Sequence, residues 1–170
     1  MMIKCHIYYC FPLNYSNMQI SKFSIKGLKM LKTIIIFLLF FSSPLFAENI
    51  TIEMLNVRAA DKQSMVYSVD VARVQVGDTI NWTPKDKGHN VEFVLGPNSV
   101  ELPNKSRINK EFSYTFETPG IYFYQCTPHK SMGMIAIVVV GNDLSNLDQI
   151  KKVRVFGKSK RKLEEILSLI

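Results

Sequence analysis

The first 47 residues contain no aspartate or glutamate, and residues 48–170 contain one cysteine, Cys126, and two histidines, His89 and His129. Each scarcity excludes something. A lone cysteine cannot form an internal disulfide, so the fold must hold by its apolar core. The apolar run from Ile34 to Phe41 falls short of the roughly 20 residues a membrane-spanning helix requires. Residues 48–170 carry 16 Lys plus Arg against 14 Asp plus Glu, so most of the formal +7 of the whole chain belongs to residues 1–47. Lys85, Lys87, Lys105, Arg107 and Lys110 are interspersed with acids, which excludes a continuous nucleic-acid groove.

What the leader does contain is five lysines (Lys4, Lys22, Lys26, Lys29, Lys32) and, from Met30, the order basic, apolar, then SSPLFA. That order predicts a secretory signal peptide over 30–47, cleaved after Ala47, with no stable membrane insertion afterwards. Residues 1–29 read as an upstream extension, with Met30 the true start. The mature chain is then 48–170, one domain of 123 residues.

Within it, 48–140 reads as β. Strands are expected at 50–57, 65–69, 71–76, 79–83, 90–94, 112–117, 121–126 and 134–140. Phe112, Tyr114 and Phe116 alternate with Ser113, Thr115 and Glu117, the period of a half-buried strand. Gly77-Asp78, Lys87-Gly88, Gly96-Pro97 and Pro119-Gly120 punctuate the runs. Many short strands so separated predict an all-β sandwich. Ile135 to Val140 is apolar throughout, which predicts a strand covered on both faces. The tail 143–170 supplies a cover: a helix over 146–154 opened by a Ser145/Asp148 capping box, and a second over 159–170. In the latter, Leu163, Ile166, Leu167 and Ile170 form one apolar stripe. So short a helix is marginal alone in water, so it is expected to dock on the sandwich.

A lone thiol exported to an oxidising compartment needs protection, and metal ligation supplies it. Cys126, His129 and Met134 lie in CTPHKSMGM with Cys-x2-His-x4-Met spacing, and His89 stands 37 residues before Cys126 in GHNV. One loop between adjacent strands would deliver three donors and a second loop the fourth. Two imidazoles, a thiolate and a weak axial thioether are an established electron-transfer copper set. Zinc accepts Cys and His, but a thioether is a poor fourth ligand for it. A zinc hydrolase would also need a general base; Asp86 and Glu92 are nearest in sequence. The reading is therefore a non-enzymatic electron carrier, with a copper carrier or storage module as the alternative and a plain adhesion sandwich as a weaker rival. Asn90 is placed to tie the His89 loop to the Cys126 loop, and Pro128, lacking an N–H, limits donors near the sulfur.

GDT at 77–79, DKGHNVE at 86–92, CTPHKSMGMIAIVVVG at 126–141 and NLDQI at 146–150, with ENI and MLN at the start of the domain, resemble the pseudoazurins, a branch of the cupredoxins. The likeness covers 48–170. The terminal helices separate it from plastocyanin and amicyanin, and the absent disulfide from azurin. This resemblance implies a cupredoxin-like Greek-key sandwich with two C-terminal helices and one type 1 copper cycling between Cu(I) and Cu(II), held by His89, Cys126, His129 and Met134. It implies a monomer in the periplasm that donates electrons to nitrite reductase or another denitrification enzyme, or exchanges them with a cytochrome c. Docking is expected near His129, on a patch including Met65, Pro84, Pro128, Met132 and Gly133. Lys85, Lys87, Lys110 and Lys130 would steer acidic partners. Val57 and Gln125 stand where lysine is common in the family, which thins that basic ring.

Overall fold

A computed structural model describes residues 47–170. The readings made for residues 1–46 lie outside these. Eight strands form two sheets: β1 (Asn49–Val57), β2 (Ser64–Tyr67), β3 (Val71–Val74), β4 (Thr79–Pro84), β5 (Glu92–Leu95), β6 (Phe112–Thr115), β7 (Gly120–Gln125) and β8 (Ile135–Val140). One sheet has the order β2-β1-β4-β6 and the other β3-β8-β7-β5. β1 and β4 pair in parallel, as do β3 and β8; the remaining pairs are antiparallel. The chain crosses between sheets at Ser68–Asp70, which separates β2 from β3.

Sequence alternation sets which face goes inward. Ile52, Met54, Ile80 and Trp82 are fully buried on one sheet; Tyr122, Tyr124, Ala136 and Val138 face them from the other. Trp82 lies at the centre, edge-on to Phe93 and Tyr124. β8 is buried at all six positions. Ala136, Val138 and Val140 belong to the core between the sheets. Ile135, Ile137 and Val139 join a second core with Ile121, Phe123, Ile150, Leu163 and Ile166. The tail thus supplies the second cover that the unbroken apolar run required.

Two helices make that cover: α1 (Leu147–Ile150) and α2 (Ser159–Leu167). α1 is shorter than the expected 146–154, and the Ser145/Asp148 capping box does not form. Asn146 occupies the cap position without a side-chain cap bond. Its amide is instead turned onto β7, where Oδ1 accepts from Ile121 N at 2.9 Å and Nδ2 donates to Ile121 O at 2.8 Å. Beyond Ile150, Val153 and Val155 both pack into the second core; residues two apart share a face in an extended chain, not in a helix. α2 stops at Leu167, and Leu169 is exposed.

The N-terminus of the expected strand 90–94 also shifts, to Glu92. Asn90 and Val91 spend their backbone groups elsewhere: Tyr67 Oη donates to Asn90 O at 2.8 Å, and Val91 N donates to Ser106 Oγ at 2.9 Å. Among the described residues no helix is long and apolar enough to cross a membrane.

Candidate metal centre

Cys126 follows the last residue of β7, and Met134 precedes the first residue of β8. These strands are antiparallel neighbours, so Cys126 N donates to Met134 O at 3.0 Å and the two residues face each other across the ladder. Between them Thr127–His129 forms a 3-10 turn with Pro128 inside it, where a missing N–H costs nothing. His129 N donates to Cys126 O at 3.1 Å, and His129 O accepts from Met132 N at 2.9 Å. The loop is therefore braced by its own backbone.

His89 arrives from the β4–β5 connection. Gly88 before it has φ +96°, a conformation that favours glycine. Asn109 holds the turn from outside: its N–H donates to His89 O at 2.9 Å, and its Oδ1 accepts from Gly88 N at 2.5 Å.

These two loops bring three donor atoms together. His89 Nδ1 and His129 Nδ1 are 3.1 Å apart, Cys126 Sγ is 3.5 Å from His129 Nδ1, and 3.9 Å from His89 Nδ1. The point in their plane equidistant from all three atoms lies about 2 Å from each, close to the roughly 2.0–2.1 Å of an imidazole bond and the roughly 2.3 Å of a thiolate bond to a first-row metal ion. The residues present therefore fit a single transition-metal ion. Met134, fully buried in the core that also contains Cys126, adds a soft thioether to the same pair of strands.

Burial and hydrogen bonding prepare the donors. His89 Nε2 lies 3.0 Å from Asn56 Oδ1, which can only accept; the ring proton therefore sits on Nε2 and leaves Nδ1 a free lone pair. Burial, and second the neighbouring His129, push the His89 pKa below the ordinary 6.5; burial does the same for His129. Both imidazoles are neutral and ready to bind near pH 7. Burial pushes the Cys126 thiol up from 9.0, while the N–H groups of Asn90 and His129 oppose this by favouring the thiolate. Pro128 thus withholds one donor, and the two adjacent backbone amides remain.

Asn90 ties the loops together as the sequence suggested. Its Oδ1 accepts from Thr127 N at 2.8 Å, and its Nδ2 donates to Thr127 Oγ1 at 3.0 Å and Ser106 O at 3.2 Å. Thr127 Oγ1 in turn donates to Glu92 Oε2 at 2.9 Å, and Gln125 Nε2 reaches the same oxygen at 3.0 Å. Asn56, Ser106, Asn109 and Glu92 were missed in these roles. Their partners lie 15 to 35 residues away, beyond any local pattern.

Exposure separates the two histidines. His89 is completely buried, whereas His129 is partly exposed beside exposed Pro128 and Met132. Pro84 is half-buried, Gly133 is buried, and Met65 is half-buried against the main core. Lys85, Lys87, Lys110 and Lys130 are all exposed; Lys85 pairs with Glu53 at 3.4 Å.

Comparison with known proteins agrees with this geometry. Residues 54–141 match the family of copper-binding proteins described as plastocyanin/azurin. A pseudoazurin from Paracoccus pantotrophus is 36% identical over 135 residues, 78% of this chain and 91% of that protein. A Sinorhizobium pseudoazurin structure, 42% identical, superposes with a TM-score of 0.67 over 71% of this chain and 94% of that one. The native pseudoazurin from Hyphomicrobium denitrificans gives the same TM-score at 35% identity, over 72% and 98%. The chain therefore belongs to the plastocyanin/azurin family of copper-binding proteins and, within it, to the pseudoazurins, electron-transfer proteins of the type 1 copper class.

Proposed function

We propose that His89 Nδ1, Cys126 Sγ, His129 Nδ1 and the Met134 thioether hold one copper ion, and that single electrons pass between periplasmic redox proteins by way of the exposed part of the His129 ring. Copper in such a donor set supplies a one-electron couple with a strongly covalent thiolate bond. The observation that carries the reading is the donor triangle of 3.1, 3.5 and 3.9 Å with only the His129 corner reaching the surface.

The chain's own residues do the rest. Asn56 fixes the His89 tautomer, Asn90 fixes the distance between the two loops, and the buried aromatic core excludes water from the sulfur. Donors held before the metal arrives move little when its charge changes, which lowers the reorganisation that electron transfer requires. The burial of His89 and Cys126 favours slow metal exchange, which supports a carrier of electrons over a carrier or store of copper. No substrate is transformed; the reactants are two transient redox partners.

Exposed Lys87, Lys110 and Lys130 support an acidic partner, with nitrite reductase or another denitrification enzyme as the acceptor. The exposed side chain at Val57 and the Glu92-bound Gln125 amide leave the basic ring incomplete. Steering then affects encounter rate more than tight binding. The test is stopped-flow oxidation of the reduced, copper-loaded monomer by a copper nitrite reductase over a range of salt. A rate that falls with salt, and falls steeply in His129→Gly until imidazole is added, supports the assignment. Unchanged transfer in His129→Gly without added ligand overturns it.

A further inference from the structure

The ligand loop is held from outside by the turn that leads into α2, and nothing in the proposed role of the donors requires this. Lys158 N donates to Ser131 O at 2.9 Å. Ser159, which is fully buried, donates through Oγ to Lys130 O at 2.5 Å. Gly157 has φ +58°, and a Cβ there would collide with the Ser131 carbonyl oxygen. Three consecutive residues of the tail thus close upon two consecutive carbonyls that lie between His129 and Met134. Beside the contact a recess of about 220 Å³ opens, lined by Met132, Gly133, Lys158 and Arg161 among others.

The turn is itself fixed from behind. One helical turn further on, the buried Lys162 donates to Asp70 Oδ2 and Gln63 Oε1, both at 2.7 Å. Asp70 Oδ2 also accepts from Arg58 at 2.9 Å, so the start of α2 is pinned to the β1–β2 turn and the sheet crossover.

We propose that Gly157–Ser159 is a positioning element for the copper loop, holding the His129–Met134 span at a set distance from Cys126 through the Lys130 and Ser131 carbonyls. This rests on the assignment of His129 and Met134 as ligands. The Ser159 hydroxyl is the part that single substitution can remove without changing the backbone. Gly157 is the part that forbids any side chain, because both the left-handed backbone and the Ser131 carbonyl exclude one.

The test compares Ser159→Ala, Ser159→Thr and Gly157→Ala with Ile166→Val, all in the mature chain. Ile166→Val thins the core under α2 but touches neither carbonyl. Two readouts are needed: amide hydrogen exchange at Met132 and Met134 in the metal-free protein, and the optical and EPR spectra with the copper release rate in the loaded one. Ser159→Ala should speed exchange at these two amides at least tenfold more than Ile166→Val does, alter the copper spectrum and accelerate copper release severalfold. Ser159→Thr, which keeps the hydroxyl, should restore both towards wild type. Should Gly157→Ala fail to fold, Ser159→Ala decides the matter. If its loop exchange and spectrum stay within twofold of the Ile166→Val control, the positioning role is wrong. If exchange accelerates but no variant, nor the wild type, binds copper, the ligand assignment fails and the mechanical latch stands.

Discussion

Asn90→Ala tests how the two ligand loops are joined. The side chain is 2% exposed and makes three hydrogen bonds, two with Thr127 and one with Ser106. At about 1 kcal/mol net for each bond, with Thr127 N–H and Ser106 C=O left without a partner, the cost is about 3–4 kcal/mol. For a domain of this size that lowers Tm by roughly 10–15 °C. Urea unfolding of the metal-free protein measures it: the midpoint should fall while the slope stays constant, because the same surface is exposed. Asn90→Asp gives a second check. Its carboxylate still accepts from Thr127 N but cannot donate to Ser106 O, and it lies against the Thr127 hydroxyl already bound to Glu92. That variant should regain stability as the pH falls and the new acid is protonated. A loss below about 1 kcal/mol in Asn90→Ala, less than a single net bond contributes at the centre of its range, would refute the claim that Asn90 joins the loops.

Metal uptake should be proton-linked through one group. The Cys126 thiol is raised by burial and is protonated at neutral pH, while both histidines are held below 6.5 and are neutral. Calorimetric titration in buffers of different ionisation enthalpy should therefore give about one proton released per copper near pH 7.5; zero protons would contradict it. The histidines also set an acid limit. Their folded pKa values are depressed, so their contribution to metal-free stability is full above the ordinary 6.5 and is lost as pH falls through their folded values. Urea midpoints should drop over that range, and a His89→Gln variant should show a smaller drop. Asp70→Ala removes the shared partner of Arg58 and Lys162, both largely buried, and should cost about 3–5 kcal/mol. Lys162→Met, which leaves Asp70 paired with Arg58, should cost clearly less; equal losses would show that the cluster does not act through Asp70.

Much of this fold is visible in short-range pattern. Alternation from Phe112 to Thr115 marks a strand with one face on the core, and the unbroken apolar run of β8 demands two covers, which the two cores supply. His89, Cys126 and His129, which the fold brings together, were legible because two of them share one short loop and the other sits in a distinctive GHN; Met134, the proposed fourth donor, closes that same loop. What could not be read were side chains whose role is decided by distant backbone. Ser145 and Asp148 satisfy the local rule for a helix start, yet Asn146 is drawn away by Ile121, 25 residues earlier in the chain. Asn56 appears as one polar residue near the end of β1, and only the folding of β1 beside β4 brings it to His89 Nε2. Likewise Gly157 and Ser159 look like ordinary punctuation before a helix; their meaning lies in the carbonyls of Lys130 and Ser131.

The optical spectrum of residues 48–170 loaded with Cu(II) addresses the central claim most directly. A copper ion held by the Cys126 thiolate beside the two neutral imidazoles should give an intense blue or green charge-transfer band, absent in Cys126→Ser, with the thiol unreactive towards disulfide reagents while the metal is bound. A pale spectrum of ordinary cupric intensity, or a Cys126 that still titrates freely in the loaded protein, would contradict the account.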